Sequence, residues 1–558
     1  MKKFLFLIGL IACSFLFSCS DKAQTEKLFR YFLNKHVERI KPITRNMNEA
    51  VWDAYTGKTS FKEVIQQSNH FDSLYIQGDR TPEYYQRLLN NLYDNTTEFE
   101  MLMKIKKSGL ITDSLLKRQF VKVYREYVSI QNNWEKSEKR KEHLYEQFYE
   151  LMKTQTHFMD SIGNVSAEEK NAQWIEKFSP LIEKFRDLVK AMNDDVKRMG
   201  YKNYFQSLMS YYDVDYDSLD QIVQVIDEET KDDYIQLLHV CQTVIGRKYQ
   251  IAPGKITPFQ YREAHGEMVV PCEWEREYSR DEFLKMVERY YALGNYDISD
   301  IYKNSDIWYR ENKLNHSFFF CLDVDKCDFR IYANCKPSAK DINSMAHEFG
   351  HAVHYKYVDP RLPYLLRDPH SIIAEAVAIY FDSKVYTSNA VQQVMGLASL
   401  EKNPYFVDFK NPAELFYIRK LLRNIKFEKS IFENPDQDFN ALWWMLNKEY
   451  LLFDTASSDQ LPEWISNQQI VDFNGAHVFY LYAIAFAAQL ETYFPDGQIG
   501  QVRDKILKYG DSLAWDDLIK RATGEPLNLK YLIHFYKRQK SVTNNLGADR
   551  YLKRKGIS

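Results

Sequence analysis

Asp341-Ile342-Asn343-Ser344-Met345-Ala346-His347-Glu348-Phe349-Gly350-His351-Ala352-Val353-His354-Tyr355-Lys356-Tyr357 is the stretch from which the fold and the chemistry are read. Ile342, Met345, Ala346, Phe349, Ala352 and Val353 fall on one stripe at helical spacing, which predicts an amphipathic helix. Asp341 suits its start, and Asp359-Pro360 closes it. His347 and His351 stand four residues apart, so both imidazoles project from one helix face and can reach one ion. Glu348 follows the first histidine, placed to take a proton from water at that ion and pass it to a leaving nitrogen. A short H-E-x-x-H match is only moderately specific by itself.

A second helix supplies the rest of the set. Asp368-Pro369 reads as an N-cap and first-turn pair opening a helix over Pro369–Val385. Glu375 lies in its second turn, 28 residues after His347. Its neighbours Ile372, Ile373, Ala376, Val377 and Ile379 are apolar, so an unpaired carboxylate there is costly. His347, His351 and Glu375 are therefore expected to hold one Zn2+ per chain, with a fourth position open to water. His354, on the same face seven residues after His347, offers a substitute ligand, but with the spacing of four already filled it reads rather as a residue behind or beside the site.

Working outward, Ser317–Val324 and Phe329–Ala333 are β-rich runs around Asp325-Lys326 and predict a hairpin just before the motif helix. The remaining periodic segments are helical. Leu181–Met199 and Ser218–Val244 are the clearest, the second with Ser218 at its expected start. Gly and Pro are scarce, 19 and 16 in 558 residues, and no repeat or linker interrupts the chain. The expected fold class is mainly α, one unit with a small antiparallel β element.

Hydrophobic residues make up 45%, enough for a real core. The net charge of −3 offers no electrostatic case for nucleic acid. The 40 tyrosines read mostly as core rings. Met1-Lys2-Lys3 followed by apolar Phe4 to Phe17 predicts a signal peptide over residues 1–18. Leu16-Phe17-Ser18-Cys19 then reads as a lipobox, with Cys19 the lipidated terminus of a single catalytic domain over 19–558. Leu10-Ile11-Ala12-Cys13 is a rival box; cleavage there would leave Ser14-Phe15-Leu16-Phe17 on the mature chain. The expected location is the cell envelope, on a lipid anchor rather than a spanning helix. Five cysteines remain, an odd number with no Cys-x-x-Cys pair, so a cysteine-built metal site is not expected.

With these motifs the chain resembles the angiotensin-converting-enzyme type of zinc peptidyl-dipeptidases. That family has an H-E-x-G-H helix with a glutamate ligand at this separation. Asp328-Phe329-Arg330-Ile331, Trp515, Thr523-Gly524-x-Pro526 and Tyr536 match further family motifs, as do Tyr482, Phe486 and Gln489 on one helix. Weaker likeness runs through Met192–Ile251 and around Val51–Tyr55. Phe349 and His354 are also similar to the H-E-F-G-H-x-x-H of thimet-type oligopeptidases, which place the glutamate one residue further on.

The resemblance implies an elongated helical zincin fold of two halves flanking a deep channel, with zinc on its floor and short peptides as substrates. It implies that Tyr482 stabilises the oxyanion, makes His477 the nearest counterpart of an assisting histidine, and matches His316 to a histidine that contacts the substrate backbone. The chain also departs from the family. No Lys or Arg occurs from Ile465 to Val502, where the lysine that grips a C-terminal carboxylate should fall. His265–Met268 does not match the glutamine region, and Leu481 replaces the chloride-supporting arginine. Ile379 stands where the family has an acidic residue behind the zinc ligands. The expected activity is zinc-dependent hydrolysis of short peptides, peptidyl-dipeptidase-like. The alternatives are a thimet-type endo-acting oligopeptidase and a non-catalytic peptide-binding lipoprotein; an aromatic-rich glycan binder rests on the tyrosine count alone.

Overall fold

The structure is a computed structural model that describes residues 2–59, 102, 105–106, 109–134, 138–153, 166–197, 199–252, 256, 258, 260–261, 277–311, 313, 316–397, 410–453 and 460–537. The expected glutamine region at His265–Met268 and Cys272 lie outside these residues. The chain is mainly helical. The elements used below are α1 (Lys2–Tyr55), α2 (Ser114–Trp134), α3 (Ile182–Lys197), α4 (Tyr204–Tyr211), α5 (Leu219–Tyr249), α6 (Ala339–Lys356), α7 (Ser371–Thr387), α8 (Lys410–Glu433), α9 (Phe439–Leu451), α10 (Ala476–Tyr493) and α11 (Lys530–Lys537). Strands β1 (Asp306–Trp308), β2 (Ser317–Asp323) and β3 (Asp328–Cys335) form one sheet in the order β1-β3-β2.

The expected hairpin is present, with Phe319 opposite Ile331 and Cys321 opposite Phe329 in antiparallel register. The sheet as a whole is mixed, because β1 joins β3 in parallel. Three residues are too few to show a two-residue period, so β1 leaves no trace in the sequence pattern.

Helix bodies follow the periodicity and helix ends deviate. On α3, Phe185, Leu188, Val189, Met192 and Val196 are buried as the stripe predicts, after a 3-10 turn over Ser179–Leu181. Ser218 does precede α5, but its hydroxyl bonds the Asp215 carbonyl instead of capping the helix. The second motif helix starts later than Pro369: His370 is its N-cap, accepting from the Ile372 N–H at 3.3 Å. Asp368 is not free to cap. Its carboxylate accepts from the Tyr355 hydroxyl at 2.5 Å and from Lys122 Nζ at 2.9 Å.

The core centres on α7, which lies between α6 and α10. A helix covered on opposite sides must be apolar nearly all round. Ile372, Ile373, Ala376, Val377, Tyr380, Phe381 and Val385 are accordingly buried. Gly350 lets α6 and α7 approach closely, since a Cβ there would meet Ala378 Cα at 3.0 Å. Two buried phenols brace the pair: Tyr290 donates to the Phe381 carbonyl at 2.7 Å, and Tyr291 donates to the Ala346 carbonyl. At the other end of the chain, Phe29 of α1 packs on Phe120 of α2, and Trp52 packs edge-on against Phe320 of β2. The backbone at Cys13 and Cys19 lies within α1. Among the described residues no helix is long and apolar enough to cross a membrane. Cys241, Cys321, Cys327 and Cys335 carry free thiols.

Candidate metal centre

α6 presents His347 and His351 one turn apart, and α7 brings Glu375 to them. His347 Nε2 lies 3.2 Å from His351 Nε2 and 3.5 Å from Glu375 Oε2; His351 Nε2 lies 3.6 Å from Glu375 Oε1. A tetrahedral ion with ligand bonds of about 2.0–2.2 Å spaces its donors by about 3.3–3.6 Å. The three distances lie within a tenth or so of that spacing, with Glu375 meeting the two histidines through different oxygens. Glu375 Oε2 is buried with no hydrogen-bond partner, which a cation would remedy. The donor set thus fits a metal ion and is the one group of its kind among the described residues.

The orientation of His347 is set from behind. Its Nδ1 donates to Asp382 at 2.9 Å, which leaves Nε2 as the lone pair facing the donor set. Ile379, the position where an acidic residue was looked for, is hydrocarbon; the carboxylate stands almost one turn further along α7.

Glu348 is 7% exposed, and the Phe319 N–H of β2 faces its carboxylate. Burial pushes its carboxyl up to about 7, against the opposing pull of a charged His347. For Glu375, burial also disfavours the charged form. The neighbouring His351 and His347 and the Tyr480 hydroxyl outweigh it and hold the carboxyl below its usual range. Burial depresses His351 to about 4, so its imidazole stays neutral, as a metal ligand requires.

The other expected residues are placed differently. Tyr482 is buried with its ring edge-on to Trp515, 5.5 Å between centroids, and burial, then the charge of Asp215, raise its phenol to about 12. Tyr480, 200° away around α10, is the tyrosine that hydrogen-bonds Glu375. Its ring lines a cavity of about 280 Å³ beside the donors, with His347, Asp382, Glu414, Tyr417 and Tyr536. Tyr480, Ile484, Ala487 and Glu491 share that wall at spacings of four, three and four. This helical stripe was the sequence signal for Tyr480.

His477 is fully buried, and both ring nitrogens are used. Nδ1 donates to Glu428 at 2.7 Å, and Nε2 accepts from Asn424 at 2.8 Å. It belongs to a polar network across α8, α9 and α10 that includes Arg423 and Asn447. His316 is exposed, with its ring stacked on Phe318. Phe318 faces Tyr55 and Tyr332, whereas Phe319, on the opposite face of β2, contacts His351. His354 is completely buried, and neither ring nitrogen has a partner. Gln489 and Thr523-Gly524-x-Pro526 do come together: the Gln489 amide donates to Thr523 Oγ1 and the Pro526 carbonyl and so pins that turn.

No protein-family model matches the chain, and no curated protein matches it. Among solved structures, one described as "BsuCP Crystal Structure" aligns with a TM-score of 0.59 at 15% sequence identity, covering 92% of this chain and 99% of the other. At that identity the likeness concerns the fold alone, and it extends over nearly the whole length of both chains.

Proposed function

We propose that this chain is a zinc peptidase that hydrolyses short peptides, with His347, His351 and Glu375 as the metal ligands and Glu348 as the general base. The observation that carries the reading is the cluster of two imidazoles and a carboxylate, 3.2–3.6 Å apart, beside the buried Glu348, whose carboxyl burial lifts to about 7. Two imidazoles and a carboxylate suit zinc. When bound, the ion supplies Lewis acidity that polarises the scissile carbonyl. Glu348 takes a proton from the attacking water and delivers it to the departing amide nitrogen. Tyr480 takes the role that the resemblance implied for Tyr482. Burial and the Glu375 charge keep its phenol protonated, so it remains a donor for a developing oxyanion.

The wider reading is of two helical halves flanking a deep channel that admits unfolded peptides, as in peptidyl-dipeptidases. Export and anchoring through Cys19 complete it; Cys19→Ser should move the protein out of the membrane fraction. The decisive experiment is Glu348→Gln assayed on a mixed peptide library. The variant should keep its metal and lose nearly all turnover. Activity within about tenfold of wild type, a barrier change of about 1.4 kcal/mol, removes Glu348 from this role.

A further inference from the structure

A second cavity, about 320 Å³, opens between α2 and α4 and shares no lining residue with the cavity beside His347. Its size is that of a small-molecule pocket. On α2, Lys117, Phe120, Val121, Tyr124 and Arg125 recur at helical spacing and form one wall; Leu208 and Tyr211 of α4 stand on the other. The apolar and aromatic surface ends in charge. Lys106, Lys117 and Arg125 line the cavity against a single carboxylate, Asp213.

That carboxylate is shared. Arg125 pairs with it, and Arg118 reaches it from below at 3.4 Å. Asp511, the next acid, is taken by Arg118 and stands 3.8 Å from Lys122. At the floor Arg118, Arg125 and Lys122 are matched by Asp213, Asp511 and Asp368, so the cationic surplus of the cavity lining is Lys106 and Lys117. Burial, and then the neighbouring Arg118, depress Arg125 to about 10. Lys106, 4.2 Å above the Tyr124 ring, adds a second cation at the rim.

We propose that this cavity binds a small amphipathic carboxylate, its anionic head on Arg125 and Lys117 and its aromatic or aliphatic body against Phe120, Leu208 and Tyr211. Guanidinium and ammonium groups recognise the carboxylate by charge-assisted hydrogen bonds, and the rings recognise the body by burial. The ligand is either a free acid or the carboxyl end of a peptide; the head-group chemistry is the same. The site lies apart from the metal donors and stands whether or not the peptidase reading does.

The test is calorimetric titration of the full chain with N-acetyl-L-phenylalanine and with its amide. The acid should bind at one site per chain, and the amide about tenfold or more weaker. Lys117 is exposed, so Lys117→Gln should leave the fold intact and weaken the acid several-fold without affecting the amide. Arg125→Gln should do the same more strongly. Binding must persist in His351→Ala; its loss there would place the carboxylate on the metal donors and overturn the proposal. So would equal affinity for acid and amide, or acid binding unchanged in both cavity variants. Repeating the titration on Glu348→Gln with a hexapeptide acid separates the sources. If Lys117→Gln added to that background weakens the peptide as it weakens the free acid, the occupant is a peptide end. If only the free acid responds, it is a free acid.

Discussion

Asp382 accepts the His347 Nδ1–H at 2.9 Å from a position seven residues beyond Glu375, two turns along the same face of α7. One helix therefore carries both the carboxylate that joins the donor set and the carboxylate that aims a histidine into it. Asp382→Asn keeps an oxygen behind the ring but removes the charge that raises its basicity. The expected result is a 10–100-fold loss of metal affinity, roughly what such partners contribute elsewhere. A competition titration against a chelator of known affinity measures it; an unchanged affinity would mean that Asp382 only packs.

Metal removal should cost stability. Without an ion, the two Nε2 atoms stand 3.2 Å apart and a carboxylate oxygen lacks a partner. An ion that binds only the folded chain stabilises it by about 2.7 kcal/mol at a free concentration a hundredfold above its Kd. Chelation should lower the thermal midpoint, and added zinc should restore it. His351→Ala should melt at one temperature under all three conditions. A wild-type midpoint indifferent to chelator, with no zinc found by elemental analysis, would refute the donor assignment.

Much of this site was legible because its signals are local. Helix spacing alone puts His347 and His351 on one face, and the apolar neighbours of Glu375 on a second periodic helix mark its carboxylate as one that needs a partner. The same locality explains the misreadings. Asp368 and Pro369 have the right identities for a helix start, yet the Asp368 carboxylate is taken by Tyr355 and Lys122, the latter 246 positions away. Ile379 matches the family's acidic position, but the face of the helix that carries Glu375 continues to Asp382, which meets His347. Tyr482 matches the family by position, whereas Tyr480 is the tyrosine on the cavity wall beside His347. His477 has the right chemistry for a site but meets Glu428 and Asn424, contacts that no spacing within α10 could foretell.

The two tyrosines can be told apart by removing one oxygen. Tyr480→Phe deletes the hydroxyl that bonds Glu375, while the ring still lines the cavity. If that hydroxyl serves the oxyanion, kcat should fall by about 10²–10³ with little change in metal content. Tyr482→Phe keeps the ring against Trp515 and should leave kcat within a few-fold. Peptide turnover by the two variants, with metal quantified in each, decides between them. The reverse pattern would return the role to Tyr482.

Gly350 tests the packing that brings the donors together. On propensity alone, alanine in a helix interior should stabilise by about 1 kcal/mol relative to glycine. Here the new Cβ would meet Ala378 Cα at 3.0 Å and Phe381 Cδ2 and Cβ at 3.3 and 3.4 Å. The first of these is backbone and cannot swing aside, so α6 and α7 must separate. Overpacking of this kind costs about 1–3 kcal/mol, which offsets the propensity gain and reverses the sign. The displacement also acts on the site, because His347 and His351 are on one of these helices and Glu375 on the other. Gly350→Ala should therefore lower both the denaturant midpoint of the metal-free protein and its affinity for the ion. A metal-free variant more stable than wild type would show that the close approach of the two helices is not held by this glycine.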